Sequence, residues 1–244
     1  MTQDPQELWS DVDAYFARAM FPHDEVLQSA LAANAAAGLP AIDVSPAQGK
    51  FLCLLAKIHG ARRILELGTL GGYSTIWLAR ALPADGLLVS LEAKPKHAEV
   101  ARQNVARAGF AKSVRILTGK ALDLLPTLKS EFKEPFDFIF IDADKAGTPD
   151  YYRWALELSK PGSVIIVDNV VRKGEVANPD TADANAQAMR RFIEILAKDS
   201  RVEAAGVQTV GVKSHHGFVI ARVLRQGWRK TSRRRGRLIV PQPW

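Results

Sequence analysis

The sequence predicts an α/β fold: a doubly wound, mostly parallel seven-stranded sheet with helices on both faces. Three observations predict it. From residue 63 onward, short apolar runs alternate with segments of helical period, the pattern of successive βα units. The first five runs lack inside-outside alternation, as expected of strands covered on both faces. The first run closes on an acid, then spaced glycines, then a new helical stretch, which is how a buried strand turns into a helix against a ligand. In such a sheet ligands sit at the carboxyl ends of the strands.

Each element follows in order. Residues 5–37 carry apolar side chains at helical spacing, Leu8, Val12, Tyr15 and Phe16, then Val26, Leu27, Ala30 and Leu31. Phe21-Pro22-His23 interrupts them and Gly38-Leu39-Pro40 ends them, so two helices are expected. Ser45 caps a third, with Pro46 in its first turn, running to about His59 before Gly60 and packing on the sheet. The strand candidates are residues 63–67, 87–91, 114–117, 136–141, 163–167, 202–207 and 217–223. Helix candidates between them are 74–82, 95–108, 121–128, 150–158 and 183–198. With no internal repeat or linker, one domain is expected over residues 1–224, followed by a basic tail, 225–244.

Composition bounds the function. The chain has 244 residues, 47% hydrophobic and 24% charged, ordinary globular usage with length for a full core. No run approaches the roughly 18 to 20 apolar residues of a membrane span, and the first ten residues are polar and acidic rather than a leader. Cys53 is the single cysteine and lies in an apolar segment, which fits a core residue in a reducing cytoplasm. The net charge of +7 invites a nucleic-acid reading, but seven basic residues and no acids follow Leu224. Without those seven, 26 of the 33 basic residues face 26 acidic ones, and the body is neutral.

The chemistry gathers at the strand ends. Glu66 to Ser74 reads E-x-G-x-x-x-G-x-S, without the close glycine triplet that admits a pyrophosphate. A strand-end carboxylate and glycines that let backbone approach a ligand suit S-adenosylmethionine, which has a cationic amino group and ribose hydroxyls. The second strand ends at Glu92, placed to accept both ribose hydroxyls. Thr118-Gly119-Lys120-Ala121 offers small residues where an adenine ring could lie. The fourth strand ends in Asp142-Ala143-Asp144-Lys145 and the fifth in Asp168-Asn169. Asp142, Asp168 and Asn169 thereby converge as three hard oxygen donors, which suit Mg²⁺ or Ca²⁺ better than zinc. Lys145 lies one turn beyond Asp142, and a lysine beside a divalent cation can act as a base.

Taken together these segments resemble the cation-dependent S-adenosylmethionine O-methyltransferases, the family of the catechol and caffeoyl-coenzyme A enzymes. The resemblance runs from about residue 41 to 223. It rests on V-S-P-x-Q-G at Val44, E-L-G-x-x-x-G-Y-S at Glu66, G-x-A-L-x-x-L at Gly119, D-A-D-K at Asp142, K-P-G at Lys160, D-N at Asp168 and G-x-V at Gly174. It implies a Rossmann-like methyltransferase fold and a phenolic small-molecule acceptor with two adjacent hydroxyls. Val44, Glu66, Gly68, Thr69, Ser74, Glu92, Ala121, Asp142 and Asp144 would line the cofactor site. Asp142, Asp168 and Asn169 would hold Mg²⁺, with Lys145 the general base and Asp142 beside it. A homodimer in the cytoplasm completes the expectation.

The departures bear on the acceptor. Where plant members continue after D-A-D-K with an acid, an Asn and a Tyr, Ala146-Gly147-Thr148-Pro149 precedes Tyr151-Tyr152. Lys173 stands where those members have a substrate-contacting Asn, and Ser214-His215-His216 replaces a glycine-aromatic-aspartate approach to the last strand. Acceptor specificity is assigned to residues 22–40 and 170–183.

Other classes fit less well. A nucleic-acid methyltransferase would use the basic tail, but D-A-D-K puts charges where a flipped base needs an aromatic. A nicotinamide dehydrogenase needs the tighter glycine spacing, and a purely binding protein would lack Lys145 and the acids. His23, His59, His97, His215 and His216 are read as surface or satisfied core residues, the last two as an exposed turn.

Overall fold

Alternate residues of a strand face opposite sides of a sheet, and that period divides the core in two. Ile64, Leu88, Phe138, Phe140 and Ile166 belong to one buried cluster; Leu65, Leu67, Val89, Leu91, Ile139, Ile141, Ile165 and Val167 belong to the other. These residues come from strands β1 (Arg63–Leu67), β2 (Leu87–Glu92), β4 (Phe136–Ile141) and β5 (Ser159–Asp168) of a computed structural model that describes residues 4–21 and 23–225. The expected tail beyond Arg225 lies outside the described residues, as does Pro22.

With β3 (Val114–Thr118), β6 (Val202–Gly211) and β7 (Ser214–Val223), the strands form one sheet in the order β3-β2-β1-β4-β5-β7-β6. All pairings are parallel except those of β7, which runs antiparallel to both β5 and β6. Helices α2 (Glu25–Ala36), α3 (Pro46–His59), α4 (Tyr73–Ala79) and α5 (Pro95–Arg107) cover the first face; α6 (Ala121–Glu131), α7 (Thr148–Glu157) and α8 (Ala184–Lys198) cover the second. This is the Rossmann-like methyltransferase architecture the sequence predicts, mostly parallel with one antiparallel hairpin.

The N-terminal helix α1 (Pro5–Met20) has no buried residue. It is tied to the tip of the β6–β7 hairpin, where Gln6 Nε2 donates to the Gly211 carbonyl at 3.1 Å and the Val212 amide donates to Asp13 Oδ2 at 2.7 Å. No helix among the described residues is long and apolar enough to cross a membrane.

Several boundaries depart from the sequence reading. β5 begins at Ser159, because Phe136 pairs with Ser159 before the register shifts around Pro161 and Gly162, which reads as a loop in sequence. β6 and β7 pair out to Gly211 and Ser214, well past their apolar runs, since backbone hydrogen bonds rather than burial hold the far end of this hairpin. His215 and His216 therefore lie within β7, opposite Val210 and Thr209 and half-buried, correcting their reading as an exposed turn.

The crevice follows from connectivity. The chain steps outward from β1 to β3, then returns to β4 on the other side of β1, so the helices after β1 and β4 leave on opposite faces. Gly68, just past β1, has φ +94°, and a Cβ there would overlap the Asp142 carbonyl oxygen. Only glycine allows the ends of β1 and β4 to close to this separation.

Candidate active site

At the carboxyl ends of β1 to β5 lies a cavity of about 800 Å³, within the range of small-ligand sites. Its wall takes in Val44, Gly68, Thr69, Ser74, Glu92, Ala121, Asp142, Asp144, Lys145 and Asn169. Nearly every site residue expected from the sequence is thus brought to one place. The two exceptions, Glu66 and Asp168, lie behind the wall.

Glu66 is 0% exposed, and its position in β1 explains why. It shares a face with Ile64, so its carboxyl points under α4 and beside Ser90, its partner on β2. The hydroxyls of Ser74 and Ser90 donate to it at 2.6 Å and that of Thr75 at 2.5 Å. Because the one Ser90 proton goes to Glu66, the Thr69 hydroxyl, 2.6 Å from Ser90 Oγ, must be the donor in that pair. Burial pushes the Glu66 carboxyl up to about 7, against the pull of the three hydroxyls. Glu66 thus stands behind the wall, meeting the cavity through Ser74 and, by way of Ser90, through Thr69.

Glu92 does face the cavity. Its Oε2 accepts from the Thr69 amide at 3.2 Å and the Leu70 amide at 2.8 Å, and its Oε1 accepts from the Lys94 amide at 2.9 Å. Leu70 is held by this bond at φ +49°, an uncommon conformation for a bulky residue and a mark of a functional loop. His97 Nδ1 stands 3.6 Å from Glu92 Oε1 on the same wall. The sequence reading treated His97 as an ordinary surface or core residue; its place two residues after a helix-starting proline was the available signal.

At the other end, Lys145 Nζ donates to Asp142 Oδ1 at 2.7 Å, the pair spanning one turn as its spacing implies. Asn169 Nδ2 reaches the same oxygen at 3.4 Å. Asn169 holds φ +62°, a conformation Asn tolerates better than most residues, and this aims its amide at Asp142. Asp168, 3% exposed, accepts from the Asn169 amide at 2.8 Å and from the side chain of Gln48 in α3. Burial first, then the neighbouring Asp142, push the Asp168 carboxyl up to about 7. Gln48 lies inside the V-S-P-x-Q-G segment, and its contact with β5 was not foreseen.

Asp144 is turned toward α7, accepting from the Gly147 amide at 2.9 Å and from the Tyr151 hydroxyl. Burial and Asp144 together push the Tyr151 phenol up, so it remains a donor. The segment 146–149, a departure from the plant pattern, forms the start of α7 and brings Tyr151 to this contact.

Comparisons with known proteins lead to O-methyltransferases. The O-methyltransferase family model matches residues 19–217. A catechol O-methyltransferase of Niastella koreensis is 49% identical over 215 residues, covering 88% of this chain and 97% of that protein. The crystal structure of an O-methyltransferase from Bacillus cereus, in complex with SAH, is 55% identical with a TM-score of 0.88, covering 89% of this chain and 99% of that one. That of TomG from Streptomyces achromogenes, involved in tomaymycin synthesis and in complex with SAM, is 50% identical with a TM-score of 0.88, covering 91% and 100%. The chain belongs to the O-methyltransferase family.

Proposed function

We propose that the protein transfers the methyl group of S-adenosylmethionine to one hydroxyl of a small aromatic with two adjacent hydroxyls, with a hard divalent cation such as Mg²⁺ in the crevice. The observation that carries this reading is the meeting of Asp142, Lys145 and Asn169 on the wall of the cavity that also holds Glu92 and Ser74. The relative named catechol O-methyltransferase and the structures in complex with SAH and SAM support it.

The residues divide the work. Three amides fix the Glu92 carboxylate, which keeps lone pairs for ribose hydroxyls. The Ser74 proton is committed to Glu66, so toward the cavity Ser74 offers only acceptor lone pairs, which suit a cationic amino group. Val44 and the backbone of Gly68 and Thr69 would lie along the methionine portion and Ala121 would leave room for adenine, with Asp144 on the same wall. Asp142, Asp168 and Asn169 fit a hard cation: all can offer oxygen, and two neighbouring carboxylates share only one ammonium, that of Lys145. When bound, such a cation supplies positive charge that favours ionisation of the acceptor hydroxyl. Lys145 would act as the base only as its free amine, its own proton first released to solvent; it would then take the hydroxyl proton, with oxygen, methyl carbon and sulfur aligned by the crevice.

A homodimer belongs to the same reading. Two touching helices expose apolar side chains, Leu8, Val12, Tyr15 and Phe16 on α1 and Phe51, Leu54 and Ile58 on α3. Light scattering is expected to give twice the 26.7 kDa chain mass. Buried, unpaired Cys53 suits a cytoplasmic setting.

The deciding experiment strips the protein of metal and assays it with S-adenosylmethionine and 1,2-dihydroxybenzene. Turnover is expected to vanish in chelator, return with Mg²⁺, and be far slower with phenol. Full activity in chelator overturns the cation, and equal rates on the two acceptors overturn bidentate binding.

A further inference from the structure

Strand order sets an order of chemistry along the crevice. Ala121 and Glu92 stand at the tips of β3 and β2, Gly68 and Thr69 at that of β1, and Asp142, Lys145 and Asn169 at those of β4 and β5. An acceptor reacting at β4 and β5 has the cofactor on one side. Whatever it carries beyond its reacting ring extends the other way, toward β7 and β6.

That side is cationic. Arg172 lines the cavity, yet its Nε is buried without a hydrogen-bond partner, and Asp183 lies 3.6 Å from a terminal nitrogen, beyond good hydrogen-bonding distance. Arg172 and Lys173 hold φ of +53° and +55°, two consecutive residues in a conformation that side chains disfavour. Lys213, at the hairpin tip, donates to the carbonyl of Ala41, next in sequence to Pro40 and Ile42 of the cavity wall, at 3.3 Å. His216 on β7 is half-buried among these charges; burial first, then Arg172 and Lys213, hold its imidazole toward the neutral form. The acids facing this group are Asp142, which acts on His216, Asp43, whose carboxyl burial pushes up, and Asp183.

We propose that the acceptor carries an oxyanion, of which a carboxylate is the simplest, on the side of its ring away from the reacting hydroxyls, and that Arg172 binds it with help from Lys213. The inference rests on the dihydroxy-aromatic reading above. A planar guanidinium takes a carboxylate by two parallel hydrogen bonds, and the two terminal nitrogens of Arg172, on a side chain 29% exposed, make one of its two-donor faces.

The test uses the full-length protein with S-adenosylmethionine, Mg²⁺ and two acceptor pairs: 3,4-dihydroxybenzoate and 3,4-dihydroxycinnamate, each against its methyl ester. The acid is expected to exceed its ester in kcat/KM by about 10- to 100-fold, chiefly through KM, as for a charge-assisted hydrogen bond gained or lost. In Arg172→Met that ratio is expected to fall at least about tenfold, and in Lys213→Met in the same direction by less. Equal kcat/KM for acid and ester in the unaltered protein overturns the proposal without any variant. An unchanged ratio in a folded Arg172→Met overturns the assignment to Arg172. If neither acid nor ester is methylated while calorimetry shows S-adenosylmethionine binding, the dihydroxy-aromatic reading itself fails.

Discussion

At the scale of single residues, two buried charges carry different functions. Lys145 touches Asp142 and faces the cavity, so Lys145→Ala is expected to lower kcat by about 10²- to 10⁴-fold, the usual loss of a general base. Calorimetric affinity for S-adenosylmethionine should stay near its original value; an unchanged kcat would return Lys145 to a structural ion pair. Glu66 acts on stability instead. Its folded carboxyl titrates at about 7 against 4.5 when free, so the folded state binds the extra proton between those values. The stability this contributes is fully present below pH 4.5 and lost as pH rises through 7, on the order of 3 kcal/mol. Glu66→Gln is expected to flatten the pH dependence of urea unfolding across that window. Curves of equal slope for both proteins would sink the assignment.

Between elements, the site depends on the closing of β1 onto β4. Gly68→Ala places a methyl group against the Asp142 carbonyl at a φ that alanine disfavours. A loss of about 1–3 kcal/mol in chemical denaturation is expected, with activity reduced further because Asp142 moves with its strand. α3 makes the complementary contact from the other side. Gln48 hydrogen-bonds Asp168, so the loop before α3, which contributes Val44 to the cavity, and the placement of Asp168, a proposed cation ligand, are mechanically linked.

For the whole molecule, charge and catalysis separate. β7 ends at Val223, and the Leu224 amide still donates to the Arg201 carbonyl at 2.7 Å, with its side chain 8% exposed. Ending the chain after Leu224 removes seven basic residues and leaves a formally neutral body. Melting temperature, cofactor affinity and methyl transfer are expected to survive this cut, while any salt-sensitive binding to nucleic acid disappears. Lost methyl transfer in the truncated protein would show that the tail contributes to the site.

What the sequence by itself determined is the set of parts. Apolar runs such as Phe136 to Ile141 are strands in any packing that buries both faces, and a run that closes on Asp142 or Glu92 must deliver that acid to the sheet's carboxyl edge. Hence the glycine turn, Asp142, Lys145, Asn169 and Glu92 were all legible, each bound to its neighbours along the chain. Only the tertiary structure decided where side chains meet across elements. Glu66 and Leu67 are adjacent in sequence, yet the pleat sends one under α4 and the other into the opposite core. Gln48 reaches Asp168, His97 reaches Glu92, and Arg172 comes to the cavity wall beside Asn169, because strand order brings β5 beside β4 and β7 beyond it. Local periodicity states which face a residue takes within its own element; the partner on that face depends on connections tens of residues long, whose order no local pattern records.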